Sequence, residues 1–293
     1  MKVMNQKRTL DELCAMYVLE PELRDIFVEG CSDERFVKWY LRANGATAAS
    51  VYSIDLIDIP DAILRQHDLS IGSNRSQLIA LANELLRRCP GQLNVLCLAD
   101  RDYEDYQPSG STSRYLLFTD YNSMELYAFS PAAMDKFVAV ALGGLPLGCN
   151  DLIAVLTHIL GRVFAVRLSN QLLGWGMEWV PFVKYVEIRK GAISFKADEF
   201  VRVYLQKNGR WRDRAAFDAE VSEVIAHFTS DARRRIRGHD FSELLLHIIR
   251  KLRRDRKYGD SETLEGALRA SLECANLSLE PCFQRILELA ASA

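Results

Sequence analysis

Two short apolar segments, far apart in the chain, each run directly into acidic residues. Asp25–Val28 is followed by Glu29, and Leu93–Ala99 is followed by Asp100 and Asp102. Runs of this length are typical of buried strands, and a strand that is apolar throughout suits the centre of a parallel sheet. The carboxyl ends of parallel strands lie at one edge of the sheet, where open α/β sheets bind ligands. The sequence therefore predicts that these acids meet at that edge.

Three carboxylates crowded at one edge repel one another unless a cation joins them. Two like charges about 4 Å apart repel by about 4 kcal/mol at an effective dielectric constant of about 20. A hard divalent cation relieves this repulsion, and Mg²⁺ is usually held by one or two carboxylates together with water and substrate phosphate. We therefore expect Mg²⁺, or Mn²⁺ in its place, as the cofactor of Glu29, Asp100 and Asp102.

The elements around these segments alternate between strand and helix. Thr9-Leu10-Asp11-Glu12 is a capping box, which predicts that a first helix starts here. Further helices are expected from Ser32 to Asn44 and from Asn74 to Arg88, and further strands over Val51–Ile57 and Arg114–Phe118. This order predicts an α/β fold in which helices flank a parallel sheet with right-handed crossovers.

The rest of the chain is expected to be mostly helical. Ser130-Pro131 has the pattern of a capped helix start, and a long apolar helix is expected over residues 151–173. A hairpin of Val183–Ile188 and Ala192–Phe195 should follow, with three or four helices from about residue 213 onward. We therefore expect a metal-binding α/β domain over residues 1–130 and a mostly α-helical region over residues 131–293.

Composition and cysteine usage favour a soluble cytoplasmic protein with no membrane partner. No segment is expected to reach the length of about 20 apolar residues that spans a bilayer. Met1–Lys7 contains basic residues but no apolar signal core follows it. The seven cysteines form no Cys-x-x-Cys pair, so we expect reduced thiols rather than disulfides or a zinc site.

Positive charge is concentrated in one part of the chain. The net charge is −2 overall but +6 over residues 201–260. Trp211, between two arginines, is suited to stacking on a base. Charge runs are usually solvated helix faces, but here the acids within the runs are too few to pair with them. We expect a surface for nucleic acid or for an acidic partner, formed by Arg233, Arg234, Arg235, Arg237, Arg253 and Arg254.

Two motifs carry a resemblance to a known family. Val28-Glu29-Gly30-Cys31-Ser32-Asp33 resembles the glutamate motif of TOPRIM domains, and Leu98-Ala99-Asp100-Arg101-Asp102 resembles their Asp-x-Asp motif. The family includes topoisomerases, primases, recombination proteins and OLD-type nucleases, which use these acids to hold Mg²⁺ against a phosphodiester. The resemblance covers residues 24–128 and implies a TOPRIM-like sheet.

Two further segments narrow this resemblance. Tyr121-Asn122-Ser123-Met124-Glu125-Leu126-Tyr127 and Arg237-Gly238-His239-Asp240 are similar to segments of TOPRIM-like effectors in bacterial anti-phage loci, such as PARIS systems. There the effector is a nuclease that an ABC-type ATPase related to OLD proteins holds inactive until phage is sensed. The resemblance implies such a partner, a toxic nuclease activity and tRNA as the target. The sequence contains neither a Walker ATPase motif nor a topoisomerase tyrosine domain.

The resemblance and the chemistry of acids suggest site roles. Glu29 would be a metal ligand or a general base for water, and Asp100 and Asp102 would hold the metal. Asp33 would be an outer-shell ligand or, equally, an ordinary acid in the first turn of a helix. Glu125 would serve a second metal or would only interact with the positive end of a helix dipole.

His239 is the last candidate for catalysis. It would donate to a phosphate or shuttle a proton near neutral pH, but a loop residue between helices is the simpler interpretation. The main hypothesis is a Mg²⁺-dependent nuclease that cuts RNA, with tRNA favoured, or DNA. The alternative is a non-catalytic TOPRIM-like subunit that binds an ATPase, while a sugar-nucleotide transferase would not explain Glu29. The sequence leaves open whether the active form is a monomer or a homodimer.

Overall fold

The chain forms two compact units. The structure is a computed structural model that describes residues 7–89, 91–253 and 258–291. The first unit comprises Met1–Asp120 and Glu273–Ala293, and the second comprises Tyr121–Leu272. The predicted boundary lies at residue 130, with the C-terminal helices in the helical region. Here the chain instead returns to the first unit after residue 272.

Strands and helices alternate through the first unit, and helices predominate in the second. The strands are β1 (Arg8–Thr9), β2 (Arg24–Val28), β3 (Ser50–Ser53), β4 (Ile57–Asp58), β5 (Asn94–Ala99), β6 (Leu116–Phe118), β7 (Val186–Arg189) and β8 (Ala192–Phe195). The α-helices are α1 (Leu10–Leu19), α2 (Cys31–Ala43), α3 (Asp61–Gln66), α4 (Asn74–Arg88), α5 (Pro131–Lys136), α6 (Cys149–Leu172), α7 (Ala197–Lys207), α8 (Arg214–Ala226), α9 (Gly238–Arg253), α10 (Ser261–Ala270), α11 (Cys274–Leu277) and α12 (Pro281–Ala291).

A four-stranded parallel sheet forms the centre of the first unit. Its strand order is β3-β2-β5-β6, so the two strands that end in acid are neighbours. Val28 lies opposite Leu98 in the register of β2 and β5, so both strands end at the same level. The predicted α/β fold with a parallel sheet flanked by helices is therefore confirmed.

Alternation along the strands distributes the apolar side chains over both faces of the sheet. Phe27, Val95 and Cys97 belong to a buried cluster with apolar residues of α1 and α4. The alternate residues Ile26 and Leu96 are equally buried and point to the opposite face. Helices therefore cover a sheet whose central strands are apolar on both sides, as the composition of β5 predicts.

Local signals decide where the helices and strands of the first unit begin and end. Thr9 and Glu12 form the predicted capping box at the start of α1. The helix predicted from Ser32 begins one residue earlier, at Cys31, because the extended residue Gly30 is its N-cap and Ser32 is not. The predicted strand over Val51–Ile57 is interrupted, because the Ser53 hydroxyl accepts from the Asp55 amide and starts a turn of 3-10 helix.

The C-terminal helix α12 packs on the sheet of the first unit. Its Phe283 ring lies 4.7 Å from that of Tyr40 and 6.0 Å from that of Phe36, both on α2. The Cys282 amide donates to the carboxylate of Asp120, two residues after the end of β6. This aromatic and polar contact explains why the last segment completes the first unit.

The second unit is mostly helical and has a small hairpin. The long helix α6 packs against α8 and α9, and β7 and β8 form the predicted antiparallel hairpin. Arg167 on α6 donates two hydrogen bonds of 2.8 Å to Asp240 on α9 and lies 3.5 Å from the Trp179 ring. This bidentate pair fixes one helix against the other.

The long apolar helix α6 and the cysteines differ in how well the sequence predicts them. The expectation that no segment reaches membrane-spanning length is wrong for α6, which is long and apolar enough by length and composition. Most of its apolar window is buried inside the protein, as in the core helix of a soluble protein. In the structure all seven cysteines are free thiols.

Candidate metal centre at the sheet edge

The structure brings the two acidic strand ends together at the carboxyl edge of the sheet. Glu29 follows β2 directly, and Asp100 follows the neighbouring strand β5. The amide nitrogen of Asp100 donates a hydrogen bond of 2.8 Å to Glu29 Oε1. The two strand ends are therefore adjacent in the first unit, and the contact between them joins the Glu29 carboxylate to the backbone of Asp100.

Negative charge around Glu29 disfavours its ionised form. Burial raises the pKa of Glu29 to about 7, and the charges of Asp102 and Asp33 act in the same direction. The hydrogen bond from the Asp100 amide and the charge of Arg75 lower the pKa but do not cancel these effects. Glu29 is therefore partly protonated near neutral pH, and a nearby cation would favour its carboxylate form.

Arg75, in the first turn of α4, holds the segment that carries the Asp-x-Asp motif. Its Nε donates to the carbonyl oxygen of Asp100 at 2.8 Å, and its Nη2 pairs with Glu104 at 2.6 Å. The distance from Nε to Asp102 Oδ2 is 3.8 Å. One guanidinium group therefore contacts both the backbone and the acidic side chains of the segment that follows β5.

The backbone turns sharply within the Asp-x-Asp segment. Asp102 has a φ of +48°, a left-handed conformation that Asp adopts more readily than most residues. Arg101 points elsewhere, donating to the Thr119 carbonyl at 2.9 Å and pairing with Asp105 at 3.0 Å. Non-glycine residues with positive φ are concentrated at functional sites, and here the strain falls on a predicted metal ligand.

The donors at this edge fit a divalent cation in their chemistry. Glu29, Asp100 and Asp102 supply the carboxylate oxygens that Mg²⁺ prefers. Within the described residues, however, no group of three or more His, Cys, Asp or Glu side chains is placed so that it could hold a metal ion. Because Mg²⁺ needs only one or two carboxylates, with water and substrate phosphate as further ligands, a cation would require adjustment of these side chains rather than a new set of residues.

Glu125 belongs to the second unit, where it pairs with a cation of the chain itself. Arg269 Nη2 lies 2.7 Å from Glu125 Oε1, and both side chains are largely buried. Gly238, at the start of α9, lies so close that a Cβ there would overlap the side chains of Glu125 and Ser123. The two segments that narrowed the family resemblance therefore contact each other within this unit.

His239 also belongs to the second unit and is largely exposed. Its Nδ1 lies 3.7 Å from Glu265 Oε1, and this carboxylate, assisted by the charge of Glu125, raises the pKa of His239. A proton-donating imidazole is consistent with these neighbours. Its catalytic role stays a prediction, since Glu29, Asp100 and Asp102 belong to the first unit.

Several arginines of the basic segment have partners within the second unit. Arg233 pairs with Asp231 at 2.8 Å and lies 3.6 Å from the Tyr121 ring, while Arg235 lies 4.9 Å from the Phe228 ring. Arg233 and Arg235 were both predicted to bind nucleic acid. A guanidinium group that stacks on an aromatic ring still has N–H donors that can bind a phosphate. Their binding role stays a prediction.

The remaining arginines of the predicted surface differ in environment. Arg253 donates to the carbonyl oxygens of Leu142 and Gly144, at the end of the π-helical segment Phe137–Leu142. Arg234 and Arg237 are partly buried. Arg254 lies outside the described residues.

Arg75 and Glu104 are residues of the candidate site that were not predicted from the sequence. Arg75 could have been predicted, because a cation in the first turn of a helix is disfavoured by the helix dipole unless an acidic residue lies nearby. Glu104 had no such signal, because it lies in a loop whose course depends on contacts with α4. Its Oε1 accepts from both the amide and the hydroxyl of Ser109.

Comparison with protein-family models and with curated proteins finds no match to this sequence. The assignment of function therefore rests on the geometry of the acids and on the resemblance of the motifs around them.

Proposed function

We propose that this chain is a nuclease that depends on a divalent cation and hydrolyses phosphodiester bonds. The observation that supports this most is the adjacency of Glu29 and Asp100 at the carboxyl edge of a parallel sheet. The raised pKa of Glu29, caused first by burial and then by Asp102 and Asp33, is the second support. Acids with strongly perturbed pKa values cluster at functional sites.

The residues of the chain have distinct tasks in this proposal. Glu29, with a pKa of about 7, accepts a proton from the attacking water while the water oxygen bonds to phosphorus. The bond from phosphorus to the leaving oxygen breaks, and that oxygen takes a proton from solvent. Arg75 positions the segment of Asp100 and Asp102, which would hold the cation. When bound, the cation supplies charge neutralisation at the phosphoryl oxygens and the leaving group.

The substrate and the partner follow from the resemblance rather than from the site. We infer a cytoplasmic effector of an anti-phage system whose target is RNA, with tRNA favoured, or DNA. An ABC-type ATPase related to OLD proteins would hold it inactive. Sequencing of RNA ends after induced expression identifies the target, and co-purification with such an ATPase tests the partner.

A cleavage assay tests the proposed function directly. Purified chain is incubated with tRNA, other RNA and DNA, with Mg²⁺ or Mn²⁺ and with EDTA. We expect cleavage that EDTA abolishes, and a loss of about 100-fold or more in Asp100→Asn, because removing one charge weakens cation binding. Glu22→Gln is the matched control, since Glu22 is an exposed acid of the same unit. Equal cleavage by Asp100→Asn and the control contradicts the proposal.

A non-catalytic subunit that binds an ATPase is the second candidate. The observation that favours it is the lack, within the described residues, of three side chains already placed to hold a metal. Ligand binding to the folded state raises the unfolding temperature. If neither Mg²⁺ nor Mn²⁺ raises that temperature and no nucleic acid is cleaved, the binding module is the better account.

A further inference from the structure

The second unit contains an open cavity of about 630 Å³ beside the long helix α6. Five of its lining residues lie on α6, one lies on α8, and Phe228 and Arg235 lie in the segment that follows α8. Sites for small molecules usually have volumes of about 300–1,000 Å³. The cavity is therefore large enough for a nucleotide.

The charged part of the cavity wall is entirely basic. His158, Arg162 and Arg235 line it, and no acidic residue does. Arg162 is exposed, and within the described ranges its side chain makes neither a hydrogen bond nor an ion pair. The Nε atom of Arg235 is buried without a hydrogen-bond partner among those residues. Guanidinium groups with available donors are suited to bind phosphate.

The other part of the wall is apolar and includes an aromatic ring. Phe228 lies 4.9 Å from the Arg235 guanidinium and 6.1 Å from the Phe164 ring, so its orientation is fixed from two sides. Ala154 and Ile225 extend this apolar surface. Gly161 on α6 faces the same ring, since a Cβ at this position would lie 3.6 Å from Phe228, in ordinary van der Waals contact.

We propose that this cavity binds one phosphorylated nucleoside. The phosphate would contact Arg162 and Arg235, and the base or sugar would lie on the apolar wall with Phe228. Bases and phosphates are bound by this combination of an aromatic ring and cations in single-stranded nucleic-acid sites. The ligand is either a free nucleotide or one nucleotide of a single-stranded nucleic acid. The cavity belongs to the second unit and the candidate metal centre to the first, and the proposed binding does not require the proposed cleavage.

A binding assay in EDTA tests the site without cleavage. Adenosine monophosphate and a short fluorescent single-stranded oligoribonucleotide are titrated into the full chain by calorimetry and by fluorescence anisotropy. Arg162→Ala and Arg235→Ala each remove a phosphate contact, and we expect each to weaken binding about 10-fold or more. Ala154→Trp, on an exposed position of α6, fills the cavity without changing the charge and should weaken binding as strongly.

Control variants distinguish binding in the cavity from nonspecific electrostatic attraction of the probes to the basic surface. Arg212→Ala removes one charge from an exposed residue that does not line the cavity, and we expect it to change binding less than about two-fold. Circular dichroism and the unfolding temperature show whether each variant is folded. Binding of the mononucleotide supports a free nucleotide as ligand, and binding of the oligonucleotide alone supports a nucleic-acid site. Binding of neither probe at millimolar concentration, or equal binding by Ala154→Trp and wild type, overturns the proposal.

Discussion

Two glutamates of the first unit lie in opposite electrostatic environments. Glu84, on α4, is buried, and burial alone would raise its pKa. Hydrogen bonds from Arg87, His67 and Arg88 instead lower the pKa of Glu84 to about 2. Glu29, at the sheet edge, has Asp102 and Asp33 as neighbours, and its pKa is raised to about 7, mainly by burial.

Under the proposed function, this difference separates a structural acid from a catalytic one. Each unfavourable effect on Glu84 is compensated by a cation of the chain, so its carboxylate stabilises the fold. At Glu29 the Asp100 amide and the charge of Arg75 compensate these effects only in part, and the ionised form would gain from a further cation. Sites that bind metal or transfer protons are expected to retain such uncompensated charge.

The largest difference is expected in catalysis. Glu29→Gln keeps an oxygen that accepts from the Asp100 amide but removes the proton acceptor. We expect cleavage to fall about 1,000-fold, within the range for general-base and metal-ligand groups. Glu84→Gln should cleave within about three-fold of wild type at a temperature where it is folded. A comparable loss of cleavage in Glu29→Gln and Glu84→Gln would contradict the assignment of a catalytic role to Glu29 alone.

The effect on stability is expected to have the opposite order. Glu84→Gln replaces the buried carboxylate that Arg87 and Arg88 share with a neutral amide, and should lower the free energy of unfolding by about 2–3 kcal/mol. Glu29→Gln relieves a crowded charge and should raise this free energy by about 1 kcal/mol in EDTA at pH 8. Denaturation with urea measures both changes. A loss of stability in Glu29→Gln would indicate that the Glu29 carboxylate has a structural role.

The two acids should also give opposite dependence on pH in the metal-free protein. The folded pKa of Glu84 is lowered to about 2, so its contribution to stability is present above about pH 4.5 and is lost as the pH falls toward 2. The folded pKa of Glu29 is raised to about 7, so stability falls as the pH rises from about 4.5 to 7. Unfolding curves should show that Glu29→Gln removes the second slope only.

A smaller effect is expected for Arg75, which acts through other residues. Arg75→Lys keeps the charge but cannot keep both the hydrogen bond to the Asp100 carbonyl and the pair with Glu104. We expect cleavage to fall about 3- to 10-fold, with a higher metal concentration needed for half-maximal activity. Arg65→Lys, an exposed arginine of the same unit, is the matched control. An unchanged metal dependence in Arg75→Lys would show that Arg75 does not position the acids.

Much of the fold could be predicted because the deciding signals are local. The apolar runs of β2 and β5 and the Thr9 capping box are read directly from neighbouring residues. The return of α12 to the first unit was not predictable in this way, because it depends on the contact of Phe283 with Tyr40, which is 243 positions away. The short helix Asp61–Gln66 was missed because few of its side chains are buried.

The candidate site was predictable only where strand order determines it. Glu29 and Asp100 follow adjacent strands, so their approach results from the sheet. The left-handed backbone of Asp102 and the position of Arg75 depend on loop contacts that no periodic pattern reveals. Likewise, the cation that pairs with Glu125 was not foreseen, because Arg269 comes from α10.

The most direct test of the metal centre is an anomalous-difference map from crystals soaked in Mn²⁺. The account predicts a peak within about 2.3 Å of carboxylate oxygens from at least two of Glu29, Asp100 and Asp102, and no such peak in Asp100→Asn. A protein that cleaves nucleic acid while its only Mn²⁺ peak lies away from these residues would contradict the account.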